Sequence, residues 1–178
     1  MARMPLETVR LTAVLPASAD RIYAAWLDSG EHSRMTGGKA SVDPRIGGDH
    51  SAWDGYIEGK TLELEPGRRI VQSWRSSDFP LGAGDSRLEV HLLDVPSDQG
   101  GGCEVTIIHT EIPEGQGAQY EAGWRDHYLE PMLKYFGKPK SKPKNKVAAK
   151  KKAAKAKAQK KMAAITTKVW RQHKLTSR

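Results

Sequence analysis

The sequence predicts an α+β domain in which a bent antiparallel sheet wraps one long C-terminal helix, followed by a disordered basic tail. Three observations predict it. Residues 41–110 read as strands broken by turn dipeptides with no helical pattern between them, so the strands pair as hairpins and not through βαβ crossovers. One helix-period segment, about Gln116–Phe136, follows them. Beyond it the composition changes abruptly. Residues 138–178 carry 16 Lys/Arg and no acid, whereas residues 1–137 carry 13 basic and 21 acidic side chains, a net of −8. The formal +8 of the chain is therefore a property of the tail alone, and the expected division is a domain over 1–137 and a Lys/Ala-rich tail over 138–178.

Each element has its own signal. Leu6–Leu15 alternates Val9, Leu11, Ala13 and Leu15 against Thr8, Arg10 and Thr12, the period of a half-buried strand. Ser18 or Asp20 can cap a short helix through Ile22, Tyr23, Trp26 and Leu27, and a second short helix is expected over Gly30–Thr36. Asp54-Gly55 marks a tight hairpin, because glycine accepts the positive φ such a turn needs. Pro66-Gly67 separates Thr61–Leu64 from Arg69–Arg75 in the same way, and Ser97–Gly102 is a loop between Arg87–Val95 and Cys103–Thr110. On the long helix, Gln119, Gly123, Asp126, His127, Glu130 and Lys134 fall on one side, with apolar residues over the rest. Pro131 should kink it by removing one intrahelical hydrogen bond. This order of elements is the helix-grip arrangement. A strongly bent sheet around one helix leaves a cavity unless large side chains fill it.

Several classes are disfavoured. The lone Cys103 cannot form an internal disulfide. No apolar run approaches the roughly 20 residues of a membrane helix, and Met1–Thr8 lacks an apolar signal core, so a cytoplasmic location is expected. Histidines 32, 50, 91, 109, 127 and 173 show no ligand spacing, the glycine pairs do not lead from a strand into a helix, and nothing marks a nucleophile. No metal, cofactor or catalytic constellation is expected.

Gly47–His50, Trp53–Gly59 (Trp-Asp-Gly-Tyr-Ile-Glu-Gly), Leu62–Pro66, Arg69–Arg75, Ile112-Pro113 and Gly123-Trp124 fall in one order with regular spacing. Together they resemble the C-terminal domain of the activator of heat-shock protein 90 ATPase homologues, a branch of the START-like (SRPBCC) superfamily. The resemblance covers about residues 8–137 and implies the helix-grip fold and a chaperone as a partner. Eukaryotic activators pair such a domain with a separate N-terminal domain that carries much of the chaperone contact, for which this chain has no room. His50, where the family usually has an aromatic or aliphatic residue, and the basic tail depart from the pattern.

The candidate ligand-binding residues are Trp53, Tyr56, His109, Glu121, Arg125 and Tyr128. With Trp26, Trp74, Tyr120 and Trp124, the aromatic members either line a cavity or fill the core. Trp74 and Trp124 read as core, and Tyr128, whose hydroxyl needs a partner, reads as the pocket residue. His109 shares strand parity with Val105 and Ile107 and points towards the helix. There it either meets a ligand or is a buried histidine bonded to a tyrosine or to backbone. His91 reads as surface. Glu121 and Arg125, four residues apart within the apolar arc, either mark the cavity mouth or form an ordinary rim salt bridge.

In the tail, Pro139 and Pro143 block helix formation over Lys138–Lys146, and the Ala/Lys run Val147–Lys161 gains helix only when its charge is neutralised. Lys150, Lys151, Lys152, Lys155, Lys157, Lys160 and Lys161 suit non-specific contact with nucleic-acid phosphates, implying nucleoid association. An anionic membrane, the acidic domain itself, or solvent alone are the other partners. Three functions stand in order: a module binding a hydrophobic small molecule or partner segment, a co-chaperone, and a cyclase- or hydrolase-like enzyme using His109, Glu121 and Tyr128.

Overall fold

A computed structural model of the protein describes residues 5–137. The tail reading, with its seven lysines, lies outside the described residues. The first strand, β1 (Leu6–Leu15), buries Val9 and Leu15 and exposes Thr8, Arg10 and Thr12, as its period of two requires. Helix α1 (Ala19–Leu27) begins at Ser18, whose hydroxyl accepts the Arg21 amide, and Asp94 accepts the Ala19 amide at 2.7 Å. Helix α2 (Ser29–Thr36) is capped by Asp28 and stopped by Gly37, which takes the left-handed conformation at φ 84°.

Six strands follow: β2 (Ala40–Val42), β3 (Asp49–Ala52), β4 (Ile57–Glu65), β5 (Arg69–Ser76), β6 (Ser86–Asp94) and β7 (Cys103–Pro113). The seven strands form one sheet in the order β1-β7-β6-β5-β4-β3-β2, with every pairing antiparallel. Register shifts between Thr61 and Glu63 and between Glu7 and Val9 bend it, since a bulge puts an extra residue on one strand. The β2 edge is closed by side chains. Ser29 and Ser33 of α2 accept the Val42 and Ala40 amides at 2.9 and 2.8 Å.

The final helix departs from the sequence reading. In place of one α-helix kinked at Pro131, α3 (Gly117–Trp124) runs through a π-helical turn (Arg125–Leu129) into α4 (Glu130–Gly137). The Glu130 amide reaches back five residues to the Arg125 carbonyl. Pro131 explains the position. It has no N–H to give the His127 carbonyl, and its ring would press on that carbonyl in a regular helix, so the wider turn precedes it. The start of α3 is held by Glu7 of β1, which accepts the Gly115 and Gly117 amides. The end of α4 is held by Tyr135, whose hydroxyl donates to Glu31 at 2.9 Å, and Glu31 also pairs with Arg21. No helix among the described residues is long and apolar enough to cross a membrane.

Candidate functional site

Beneath the middle of the helix the sheet face is filled. Trp26, Trp74, Trp124, Tyr120 and Tyr128 are all buried against one another, with Ile70, Leu88, Val90 and Ile107 below them. His109 is fully buried at their centre. Its bonds fix its protonation. The Trp124 indole N–H, which can only donate, gives to His109 Nδ1 at 3.1 Å. His109 Nε2 therefore carries the proton and donates to Ser86 Oγ at 2.7 Å, and Ser86 donates onward to the Trp74 carbonyl at 2.7 Å. Burial lowers the His109 pKa to about 3, and a protonated Nδ1 would face the indole N–H. His109 thus points towards the helix, bonded to a serine and an indole, and is not among the residues that line the pocket beside it.

Two further histidines are buried in the same way. His32 Nδ1 donates to the Trp26 carbonyl at 2.8 Å, and burial holds its pKa down to about 4. His50 Nε2 donates to the Ser73 carbonyl at 2.9 Å, and burial lowers its pKa as well. That contact needs Gly59, because a Cβ there would come within 1.9 Å of the same carbonyl.

The open space lies to one side. A pocket of about 410 Å³ is bounded by the turn between β3 and β4 and by the flank of α3 and the π turn. From the turn come Trp53 and Tyr56; from the helix come Gln119, Gly123, Asp126 and His127; Trp124 and Tyr128 form the inner wall. The sequence places Gln119, Gly123, Asp126 and His127 together on one side of the helix, apart from the apolar arc. The pocket opens on that side because the sheet grips the 120/124/128 row and the π turn brings Asp126 and His127 round to the space beside it. Gly123 keeps the space, as nothing lies within 4 Å of a Cβ placed on it.

Trp53 forms the outer wall at a conformational cost. The hairpin closes at the Ala52–Ile57 pair, so the connection is longer than Asp54-Gly55 alone. Trp53, Asp54 and Gly55 all adopt positive φ, at 54°, 56° and 86°. A bulky residue there is strained by order 1–3 kcal/mol. Packing holds it: the ring lies on Gly38, where a Cβ would sit 2.5 Å from Trp53, and meets His127 edge-on with centroids 5.2 Å apart.

A hydrogen-bonded rim closes the pocket's other side. Tyr56 donates to Asp78 Oδ2 at 2.6 Å, Gln119 donates to the same oxygen at 3.1 Å, and Gln116 donates to the Asp78 carbonyl at 2.8 Å. Tyr120 and Ser76 share a 2.6 Å bond beneath them. Burial, then the bond to Asp78, pushes the Tyr56 phenol up to about 12. Burial also raises the Tyr128 phenol far above its ordinary range, with Trp53 opposing the shift. Asp78 and Gln116 escaped the sequence reading, and no local signal marks them, since their partners are far apart in the chain.

Of the six candidates, the structure brings Trp53, Tyr56 and Tyr128 to one pocket and leaves three outside it. Glu121 and Arg125 do not lie on the gripped face. Their side chains are 50% and 52% exposed and 3.7 Å apart, an ion pair outside the pocket lining. In the sequence, aromatic residues on both flanks of the helix blur the direction of the gripped row. His109, Glu121 and Tyr128 accordingly form no common polar centre. Among the described residues, no group of histidine, cysteine and carboxylate side chains could hold a metal ion.

The bent sheet, the clasped helix and the pocket between them define a helix-grip module. Residues 16–137 match the model of the family described as activator of Hsp90 ATPase homolog 1-like protein, and the chain belongs to that family. An uncharacterised protein of Schizosaccharomyces pombe is 28% identical over 124 residues, 68% of this chain and 34% of that protein. The human activator of 90 kDa heat shock protein ATPase homolog 1 is 22% identical over 138 residues, 76% of this chain and 38% of its own length. The chain thus spans about a third of the curated relatives it matches. Among solved structures, an HSP90 activator from Plasmodium falciparum superposes with a TM-score of 0.65 at 23% identity, covering 74% of this chain and 97% of that one, which shows the shared fold.

Proposed function

We propose that the protein is a binding module that holds a hydrophobic small molecule, or a partner's apolar segment, in the pocket between the Trp53–Tyr56 turn and the flank of α3. One observation carries this reading: a half-open, aromatic-walled space of about 410 Å³ persists beside a core that is otherwise filled. That volume falls in the range of small-molecule pockets. Strained Trp53 walls the space from outside, and the glycine at 123 leaves it open. The ligand contacts assigned are Trp53, Tyr56 and Tyr128, joined by Gln119, Asp126 and His127. The test is a titration of the full chain with the neutral fluorescent probe N-phenyl-1-naphthylamine. The native protein should bind one equivalent, and Gly123→Leu, which fills the pocket from an open position, should abolish binding while keeping the fold. Equal binding by the filled variant would overturn the reading.

A second reading is a co-chaperone of a 90 kDa heat-shock protein. The filled space beneath the helix and the names of the relatives favour it. Stimulation of the chaperone's ATPase by the full chain, equal in native protein and Gly123→Leu, would favour this reading over the first. A cytoplasmic site of action accords with it.

A further inference from the structure

The chemistry of the pocket wall points beyond a generic apolar ligand. Six aromatic side chains line it: Trp53, Tyr56, Trp74, Tyr120, Trp124 and Tyr128. An aromatic face carries negative charge density and attracts cations, most strongly in Trp. One carboxylate, Asp126, stands on the same wall, and no Lys or Arg does. Asp126 makes no ion pair among the described residues. By contrast Asp49, Asp85 and the sheet's Glu63 and Glu89 are each paired with Lys60, Arg75, Arg69 or Arg87. At the rim, Asp78 adds a second carboxylate, held by Tyr56 and Gln119. An anion in the pocket would meet the Asp126 carboxylate and no lysine or arginine. A cation would meet the aromatic lining and the Asp126 carboxylate together.

We propose that the pocket takes an organic cation, a quaternary or tertiary ammonium on a small apolar body, with Asp126 and the aromatic walls as its recognition elements. The proposal rests on the pocket reading above and adds the sign of the ligand's charge. It covers a free metabolite, a lipid headgroup and a methylated lysine side chain alike, because all three present the same ammonium.

The experiment compares choline with its uncharged carbon isostere, 3,3-dimethylbutan-1-ol, by tryptophan fluorescence of the full chain. Choline should bind at least tenfold more tightly than the alcohol. Asp126→Asn, at an exposed position, should weaken choline severalfold and leave the alcohol unchanged, and added salt should weaken choline alone. Equal or tighter binding of the alcohol overturns the cation assignment and leaves the pocket reading intact. So does binding of N-phenyl-1-naphthylamine with neither small probe. Failure of all three probes overturns both. If choline prevails, phosphatidylcholine vesicles and a trimethyl-lysine peptide, run against neutral counterparts, separate the sources.

Discussion

The two halves of the helix–sheet interface use the same residue types to opposite ends. Under Trp124 the aromatic rings meet one another, and every polar atom of His109 has a partner, so nothing can enter. A turn away, Trp53 and Tyr56 form the outer wall of an open space, and Gly123 supplies no side chain to close it. The first half makes stability and the second makes a site. The difference teaches that aromatic content says little about whether a helix-grip domain is hollow. What matters is where the glycine and the strained turn fall.

Mutations should separate the halves. The largest effect is expected in the sealed half. Trp124→Ala removes the central ring and leaves His109 Nδ1 without its donor, at a cost of about 3–5 kcal/mol. Urea unfolding would show it, and a loss below about 1 kcal/mol would mean that the half is not sealed.

Acid should act on the same half. His109 and His32 are held neutral, with folded pKa values of about 3 and about 4 against about 6.5 unfolded. Above pH 6.5 both states are neutral and no penalty arises. As pH falls below it, only the unfolded state takes up protons, and stability is lost at up to about 1.4 kcal/mol per pH unit for each histidine until the folded pKa is reached. The carboxylates held low by arginine, Glu31 and Glu63, lose their contribution only below the ordinary carboxylate range. The window from about pH 6.5 to 5 therefore belongs to histidine. A flat urea midpoint across it would contradict the burial of these rings.

In the open half, Gly123→Ala should raise stability by about 0.5–1 kcal/mol, because alanine favours the helix and meets nothing. The melting temperature would report the gain, and a decrease would show that the space is already occupied. The smallest effect is expected outside both halves. Arg125→Ala breaks an exposed pair and should change stability by less than about 1 kcal/mol with probe binding unaltered. Weakened binding would return Glu121 and Arg125 to the mouth of the pocket.

Local chemistry made much of the fold legible. The alternation of β1, the Ser18 cap, the Pro66-Gly67 turn and the absence of any crossover helix each act over a few residues, and each appears where the sequence places it. The site was legible in part. Trp53, Tyr56 and Tyr128 could be named from their chemistry, and they converge. Glu121 and Arg125 could not be placed, because aromatic residues lie on both flanks of the helix and leave the direction of the gripped row open. Asp78 and Gln116 carried no signal at all, since their bonds join segments far apart in sequence.

By itself, the sequence determined the strand and helix periods, the capping residues, the charge division and the kinship with the activators of Hsp90 ATPase, because these depend on neighbours along the chain. The tertiary structure alone decided which aromatic residues only seal the core and which also border an open space. That choice depends on how far the bulged sheet bends and how the π turn rotates the helix, and both are settled only when distant segments pack.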